Sequence, residues 1–346
     1  MRTVTTVRGP VDSADLGICH THEHVLNDIT SWFHPTASKG LTPGTFARAE
    51  VRIENLWDLK YDPFGNLDNC RLDNAQLAVE EITRFADLGG STIIETTSLG
   101  IGRDLRRLKD ISERTNVHIV AGTGFYLESS HPESIRNSSA EELAELIITD
   151  IRDGEDGIRP GIIGEIGVSD QFTAAERTSL AAACIAQRTT GLPMQVHLPG
   201  WFRLGDEVLD LVEGNGVDPS VVVLCHMGPS GADKAYQQRL ASRGAWIQYD
   251  MIGAELYYAD QGVQCPSDED NARNIVSLLD AGHGNRLLIS SDVFLKSLLR
   301  RYGGPGYAHV LQYFVPRLER LGVGPDAIEL LLVKNPQSLF DNGEEK

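Results

Sequence analysis

Three histidines fall within five residues near the beginning of the chain, in the run Cys19-His20-Thr21-His22-Glu23-His24. Successive side chains of a β-strand point to opposite faces, so His22 and His24 can point into one cavity and bind one metal ion. His20 could join them only if the strand stays regular. Such a pair near the start of a long α/β chain suggests a metal-dependent hydrolase, whereas the alternative is a polar strand end with solvated histidines.

Four later apolar runs end in, or contain near their ends, a residue type that binds metal ions. These residues are Glu165, His197, His226 and Asp292. They are separated by about one or two strand–helix units, so each belongs to a different predicted strand. Because the active sites of α/β barrels lie at the C-terminal ends of the strands, we expect these side chains to meet His22 and His24 there.

Each of these residues has an ordinary explanation when it is taken alone. A single histidine at a strand end is more often a hydrogen-bonded structural group, and Asp292 could be a helix N-cap. A buried glutamate such as Glu165 is costly unless it is paired or bound to metal. Together, four histidines and two carboxylates suit a pair of divalent cations, and zinc is the expected metal, with Mn²⁺, Fe²⁺ or Co²⁺ as alternatives.

The elements that must position these residues follow one repeated pattern from about residue 74, in which an apolar β-branched run is followed by a loop and an amphipathic stretch. The predicted strands are 16–21, 92–97, 117–122, 161–166, 193–198, 220–225, 245–249 and 286–290. The predicted helices are 74–88, 103–115, 139–152, 173–190, 205–214, 230–242 and 270–282. Short, nearly continuous apolar strands are typical of a parallel sheet that is buried on both faces. Eight such units predict an α/β fold of the (β/α)8 TIM barrel type rather than an open doubly wound sheet.

The whole chain is expected to be one domain, residues 1–346, since no linker-like segment divides it and its length suits one barrel. Residues 1–15 are expected to form a hairpin that caps the barrel. The irregular stretch 29–70 is expected to be an inserted loop near the mouth of the active site, where substrate is often selected. The alternative is that its aromatic residues only pack that loop down.

Composition excludes some partners. The formal net charge of −18 argues against a nucleic acid or an anionic membrane, because phosphate contacts need clustered Lys and Arg. No apolar run is long enough to span a membrane, and the N-terminus lacks a signal-peptide core. The five cysteines are widely spaced and odd in number, which fits reduced thiols and a cytoplasmic location. The expected partner is a small-molecule substrate.

A pair of cations at this place would perform a definite chemistry. Two metals can share one hydroxide and one bridging carboxylate, and metal binding makes that hydroxide a strong nucleophile at neutral pH. An unbridged carboxylate then accepts the proton and passes it to the leaving group. Asp292 is the natural candidate for this catalytic proton transfer because it follows the last strand, beside the histidines of the first.

The sequence resembles the phosphotriesterase-related family of the amidohydrolase superfamily. The resemblance rests on motifs that occur in order along nearly the whole chain. They are 21–24 (THEH), 161–167 (GIIGEIG), 196–197 (VH), 225–226 (CH), 291–292 (SD), 100–104 (GIGRD), 122–126 (GTGFY) and 303–307 (GGPGY). The resemblance implies a (β/α)8 barrel with a binuclear metal centre.

It also implies a ligand set. One metal takes His22, His24 and Asp292, the other takes His197 and His226, and Glu165 bridges the two. Phosphotriesterases use a carboxylated lysine as the bridge, so this chain resembles the glutamate-bridged branch, which includes phosphotriesterase homology proteins, lactonases and other carboxyl-ester or amide hydrolases.

Further residues match the family's pattern more loosely. Asp250 matches an acid that lies behind the metal ligands, and the neighbouring Met251 replaces a histidine that helps phosphotriesterases relay protons. Tyr126 resembles a residue that lines the substrate pocket. His20 has no metal-binding role in the pattern. Lys296, Arg300 and Arg301 follow Asp292 and either bind an anionic group of the substrate or form a solvated basic face.

The first functional hypothesis is therefore a metal-dependent hydrolase in which a bridging hydroxide attacks a carboxyl-ester carbonyl, above all that of a lactone such as a sugar or anionic lactone. Ring opening needs no separate leaving group, which suits a site with one proton-transferring acid. The alternatives are a phosphotriesterase and an N-acyl amide hydrolase. A more distant alternative is a catalytically silent binding protein. A homodimer is common among such relatives.

Overall fold

The computed structural model describes residues 2–35 and 44–341, and within them the chain forms fourteen β-strands. In chain order these are β1 (Thr3–Thr6), β2 (Gly9–Asp12), β3 (Ile18–Glu23), β4 (Asn27–Asp28), β5 (Arg71–Leu72), β6 (Gly90–Glu95), β7 (His118–Thr123), β8 (Ile162–Ile166), β9 (Met194–Val196), β10 (Val222–Leu224), β11 (Trp246–Tyr249), β12 (Tyr257–Tyr258), β13 (Val263–Gln264) and β14 (Leu287–Ile289).

Eleven α-helices alternate with these strands in the described residues. They are α1 (Leu56–Tyr61), α2 (Ala75–Asp87), α3 (Leu105–Thr115), α4 (Ala140–Asp153), α5 (Ala174–Thr190), α6 (Gly205–Gly214), α7 (Lys234–Ser242), α8 (Asp268–Asp280), α9 (Val315–Arg320), α10 (Pro325–Glu329) and α11 (Asn335–Asp341). Two π-helical turns, Val310–Phe314 and Leu330–Lys334, run directly into α9 and α11.

Eight of the strands form one sheet whose order follows the chain, from β3 through β6, β7, β8, β9, β10 and β11 to β14. Neighbouring strands are parallel. With helices between successive strands, this sheet is a (β/α)8 barrel, and the fold predicted from the sequence is confirmed. The first strand differs in its bounds, because β3 extends to Glu23 and so carries His22 within the sheet.

Local sequence signals fix the helix beginnings. Three helices begin with a capping box, at Ser139, Thr173 and Ser267. In each box the hydroxyl of the cap residue accepts a hydrogen bond from the N–H of the third helical residue, and the carboxylate of that third residue accepts one from the N–H of the cap residue. Asn74 and Asp104 cap α2 and α3 with side-chain oxygens. These helices agree with the predicted ones within a few residues, whereas α9, α10 and α11 lie beyond any helix that the sequence analysis proposed.

The N-terminal end of the barrel is closed by apolar packing. Side chains from successive strands fill its interior there and are fully buried, among them Cys19, Ile94 and Val120. β1 and β2 pair as an antiparallel hairpin, and Val4 of this hairpin belongs to the same cluster. The opposite, C-terminal end of the strands is thereby left as the open end.

The first and last barrel strands meet without a ladder of backbone pairing in the described residues. Side chains and single hydrogen bonds join them instead. The Thr21 hydroxyl donates to the Ile289 carbonyl at 3.4 Å, the Ser290 hydroxyl accepts from the His22 amide at 3.1 Å, and the amide of Asp292 donates to the His22 carbonyl at 3.3 Å. This seam therefore holds two of the predicted metal-binding residues.

The stretch 29–70 is only partly described, because residues 36–43 lie outside the described residues. Its described part contains α1 and a small cluster in which Phe46, Val51 and Leu59 are buried. Trp32 stacks on Phe64 with ring centroids 5.2 Å apart. Both rings line the cavity at the open end of the barrel.

None of the described helices combines the length and the apolar character that a membrane crossing requires.

Candidate active site

The structure brings all six predicted metal-binding side chains together at the C-terminal ends of the barrel strands. His22 lies in β3 and Glu165 in β8, while the others directly follow strands at the same end of the barrel. They belong to five different strands of the sheet. The remaining members are His24 after β3, His197 after β9, His226 after β10 and Asp292 shortly after β14.

One group of three consists of His22, His24 and Asp292, whose potential ligand atoms all lie within 4.8 Å of one another. Nε2 of His22 and Nε2 of His24 each lie 3.6 Å from Oδ1 of Asp292. This group spans the seam between the first and last barrel strands.

A second group is centred on Glu165. Its Oε1 lies 2.8 Å from Nε2 of His226 and 3.1 Å from Nδ1 of His197. The same oxygen lies 3.7 Å from Nε2 of His22, so Glu165 stands between the two groups. A carboxylate in this position can bridge two cations.

Hydrogen bonds behind the rings fix their orientation. Nδ1 of His22 lies 3.0 Å from Oε1 of Gln195, whose amide nitrogen donates to the Thr21 carbonyl, so the ring donates and the amide oxygen accepts. Nδ1 of His226 lies 2.9 Å from Oδ1 of Asp250. Nε2 of His22 is thereby left for a ligand, whereas Nε2 of His226 is turned toward Glu165. Histidines that bind metal are usually held through the other ring nitrogen in this way.

His24 is oriented through a hydroxyl. Its Nδ1 lies 2.8 Å from Oγ1 of Thr97, and that hydroxyl donates to Oε1 of Glu95 at 2.6 Å. Because the hydroxyl proton goes to the carboxylate, Thr97 must accept from the ring. Nε2 of His24 thus faces the group of three with its lone pair.

Two orphaned atoms show that these residues fit a cation. Nε2 of His22 and Oδ1 of Asp292 are buried and have no hydrogen-bond partner in the described residues. Buried polar atoms without partners are rare because each carries a desolvation penalty. Histidine nitrogens and carboxylate oxygens in this number are the donor set of zinc and similar divalent metals.

Electrostatics at the site agree with a cation-binding role. Burial, with the neighbouring His22, lowers the pKa of His24 to about 3, so its ring is neutral at pH 7. Burial raises the pKa of Glu165, but the surrounding histidines outweigh it and hold that pKa well below its usual value. Burial also raises the pKa of Asp292 well above its usual value, and a bound cation would stabilise its charged form.

The backbone carries unusual conformations at the site. His226 and Asp292 have φ values of 57° and 48°, in a region that residues other than glycine seldom adopt. Gly164, with φ of 121°, precedes Glu165, and a Cβ there would lie 2.4 Å from the Gln195 carbonyl oxygen. Strained positions of this kind concentrate at functional sites.

A cavity of about 440 Å³ opens onto the ligand set. Its wall is mainly apolar and aromatic and includes Trp32, Phe64, Trp201, Tyr258 and Phe294.

Tyr126 is among the residues that line this cavity. Its hydroxyl lies 3.3 Å from Nδ1 of His197, and burial raises the pKa of that hydroxyl well above its usual value. Tyr126 can therefore present a proton to a substrate held beside His197.

The basic residues predicted to bind a substrate anion lie outside the cavity. The Lys296 ammonium forms an ion pair with Asp68 at 2.6 Å, and Arg301 is exposed while its amide donates to Glu81. The chain after Asp292 turns toward the 66–72 segment, since the amide of Lys296 donates to the Asn69 carbonyl. Nearness to Asp292 in sequence therefore did not place these cations on the wall of this cavity.

Several residues that hold these six side chains in place were not predicted from the sequence. Glu23, which stands between the two histidines in sequence, accepts from the Ser290 hydroxyl and from the amides of Ser291 and Val293. His20 points away from the cavity, with its Nδ1 3.0 Å from Oε1 of Glu23. The alternation of side chains in β3 could have indicated that Glu23 and the histidine pair do not share a face.

Comparison with known proteins agrees with this geometry. Residues 2–340 match the Phosphotriesterase family. The chain belongs to this family. It is 34% identical to the N-acetyltaurine hydrolase of Xenopus tropicalis over 342 residues. The matched region covers 96% of each chain.

Several solved structures are also similar to this chain. A resiniferatoxin-binding protein from Rhodobacter sphaeroides has a TM-score of 0.96 and 48% identity, covering 99% of this chain and 96% of that one. The phosphotriesterase homology protein from Escherichia coli, with phosphate in its active site, has a TM-score of 0.77 and 28% identity, covering 94% and 99%. A lactonase from Listeria monocytogenes shares the fold, with a TM-score of 0.80 and 20% identity over 99% and 100% of the two chains.

Proposed function

We propose that this phosphotriesterase-family hydrolase cleaves the amide bond of a small N-acyl compound. The observation that carries the proposal is the convergence of four histidines and two carboxylates beneath a cavity large enough for a small molecule. The curated relatives supply the bond type, because those of 32–34% identity are mostly N-acetyltaurine hydrolases. The names of these relatives therefore favour an amide substrate over the lactone that was the first hypothesis from the sequence.

We assign the ligands of two divalent cations, expected to be zinc, from the two groups of side chains. His22, His24 and Asp292 would hold one cation, His197 and His226 the other, and Glu165 would contact both. When bound, such cations make a water molecule strongly nucleophilic at neutral pH and polarise a substrate carbonyl.

The remaining chemistry belongs to this chain's own side chains. Asp292 would accept a proton at its carboxylate and deliver it to the departing nitrogen, since it is the carboxylate that does not stand between the groups. The Tyr126 hydroxyl, beside His197, would hydrogen-bond the substrate oxygen. The aromatic wall would hold the acyl compound and limit access of bulk water.

A lactonase is the second candidate. Asp292 is the only carboxylate placed for proton transfer among the six ligands, and ring opening keeps the leaving oxygen attached, so one acid is sufficient. A phosphotriester substrate is less favoured, since Glu165 stands where the resemblance implies a carboxylated lysine in phosphotriesterases.

The test is turnover by purified protein loaded with zinc or manganese. The panel contains N-acetyl amines, sugar and aliphatic lactones and an aryl phosphotriester, with the Asp292→Asn variant as the matched blank. We expect amide cleavage that a chelator abolishes and added metal restores. A dominant phosphotriester rate, or activity that survives in Asp292→Asn, would contradict the proposal. Absence of turnover with metal still bound would favour a binding role, as in the relative named for resiniferatoxin binding.

The homodimer stays a prediction, and light scattering of the same preparation tests it.

A further inference from the structure

The charged side chains on the cavity wall, apart from the six residues assigned to the metals, are mainly acidic. Apart from the metal-ligand set, its charged or ionisable groups include the carboxylates of Asp170 and Asp260 and the imidazole of His34. No Lys or Arg is among the cavity-lining residues in the part of the chain that the structure describes. An anionic substrate group would therefore meet carboxylates without a matching cation on this wall.

Cations that lie nearby in sequence are already paired elsewhere. Lys296 contacts Asp68 at 2.6 Å, and Arg203, which follows the cavity residues Trp201 and Phe202, contacts Asp233 at 3.2 Å. Neither is available to neutralise a substrate anion without breaking an ion pair.

Asp260 has one carboxylate oxygen without a hydrogen-bond partner among the described residues. Its Oδ1 is buried without a hydrogen-bond partner in the described residues, while Oδ2 accepts a long hydrogen bond from the neighbouring Gln261 at 3.4 Å. Burial raises the pKa of this carboxyl group, so a cation brought beside it would stabilise the charged form.

Aromatic rings line the same cavity as these carboxylates. Trp201 meets Tyr258 edge to face at 5.5 Å, and Tyr258 meets Phe64 at 5.0 Å. The faces of aromatic rings attract ammonium groups, and a carboxylate nearby adds attraction between opposite charges.

We propose that the cavity selects acyl compounds whose end remote from the scissile bond carries an ammonium group, and that it rejects those carrying an anion. This rests on the proposed function for the identity of the bond that is cleaved. It separates this chain from the relatives named for N-acetyltaurine, since taurine carries a sulfonate at that end.

The first experiment compares three substrates that differ only in that end. They are the N-acetyl derivatives of ethylenediamine, ethanolamine and taurine, which place an ammonium, a hydroxyl or a sulfonate two carbons from the amide nitrogen. We expect kcat/KM to fall in that order, with the ammonium compound about tenfold above the hydroxyl compound. A sulfonate compound that is turned over best would overturn the inference while leaving the proposed amide hydrolysis intact.

Variants assign the preference to the wall. Asp260→Asn should lower kcat/KM for the ammonium compound several-fold more than for the hydroxyl compound. The control is Asp210→Asn, because Asp210 is an exposed residue of α6 that pairs with Arg243. This variant should change kcat/KM for neither compound. An unchanged ratio in Asp260→Asn would contradict the assignment.

Lys39 lies in residues 36–43, outside the described residues, and is tested directly. If Lys39→Gln removes a sulfonate preference of the native protein, the anion site exists and the inference is wrong.

Binding separates this inference from the proposed function. With metal-loaded protein, the affinities of 2-phenylethylammonium, 2-phenylethanol and 2-phenylethanesulfonate are measured by calorimetry, which needs no turnover. Tightest binding of the ammonium supports the inference even if none of the amides is cleaved. Equal or tighter binding of the sulfonate overturns it whatever the amide rates are.

Discussion

Both oxygens of the Asp250 carboxylate contact His226, since Oδ1 lies 2.9 Å from the ring Nδ1 and Oδ2 lies 3.0 Å from the backbone amide. The carboxylate therefore fixes the ring and the strained backbone of this histidine together. Burial lowers the pKa of His226, but Asp250 and Glu165 outweigh it and raise that pKa well above its usual value. A cation bound beside Glu165 would displace the resulting proton.

Asp250→Asn should weaken metal binding about 10–100-fold, because the amide cannot support the ring with a negative charge. Metal titration by calorimetry measures this, with Asp210→Asn as an exposed control. Unchanged affinity in Asp250→Asn would show that the carboxylate only supports the fold.

Asp292→Asn should lower turnover about 10²–10⁴-fold, the usual contribution of a group that transfers a proton in the transition state. The amide oxygen remains as a ligand, so most of the metal should stay bound. Rates and metal content are measured on the same preparation. Loss of both together would indicate that the residue acts only as a ligand.

Glu23→Gln should destabilise the protein by about 1–3 kcal/mol, because an amide nitrogen would then face donors that now bind a carboxylate oxygen. These donors are the Ser290 hydroxyl and the amides of Ser291 and Val293, at 2.8–2.9 Å. Urea unfolding measures the change in the free energy of unfolding. Glu113→Gln is the control, because Glu113 is exposed and its replacement should have little effect. Turnover should also fall, since the same bonds hold the turn that carries Asp292.

Glu95 should make stability depend on pH. Burial raises the pKa of this carboxyl group from 4.5 to about 7, although Thr97 and backbone amides act against the shift. The folded protein thus holds the proton more tightly than the unfolded chain, and the resulting stabilisation is lost as pH rises from about 4.5 through about 7.

The Glu95→Gln variant lacks this titration. Relative to the native protein, its free energy of unfolding should therefore increase between pH 5 and pH 8 by on the order of 3 kcal/mol. Urea unfolding of both proteins across this range, at fixed ionic strength, measures the difference. A difference that does not change with pH would contradict the raised pKa.

The barrel and the meeting of the six side chains at one end of it could be predicted because each signal is local. An apolar run such as 162–166 specifies a buried parallel strand, and a histidine or carboxylate at its end needs only the barrel topology to reach the others. β14 and Asp292 followed from the same reasoning.

Partners across the barrel could not be predicted in the same way. The pairing of His22 with Gln195 joins two strands far apart in sequence, and no local pattern reveals which nitrogen faces the amide. Lys296 illustrates the converse, because its direction is decided by Asp68, which lies in a loop whose path the sequence does not specify.

The seam between β3 and β14 has a consequence for motion. Most neighbours in the barrel share backbone ladders, but here Glu23 and the ligand group connect segments 268 residues apart in sequence. A cation held by His22, His24 and Asp292 would act as a staple across this junction. When a chelator removes the metal, amide hydrogens around 290–293 should exchange with deuterium sooner than those of strands joined by backbone hydrogen bonds. Local opening of the barrel would then start at the seam between β3 and β14.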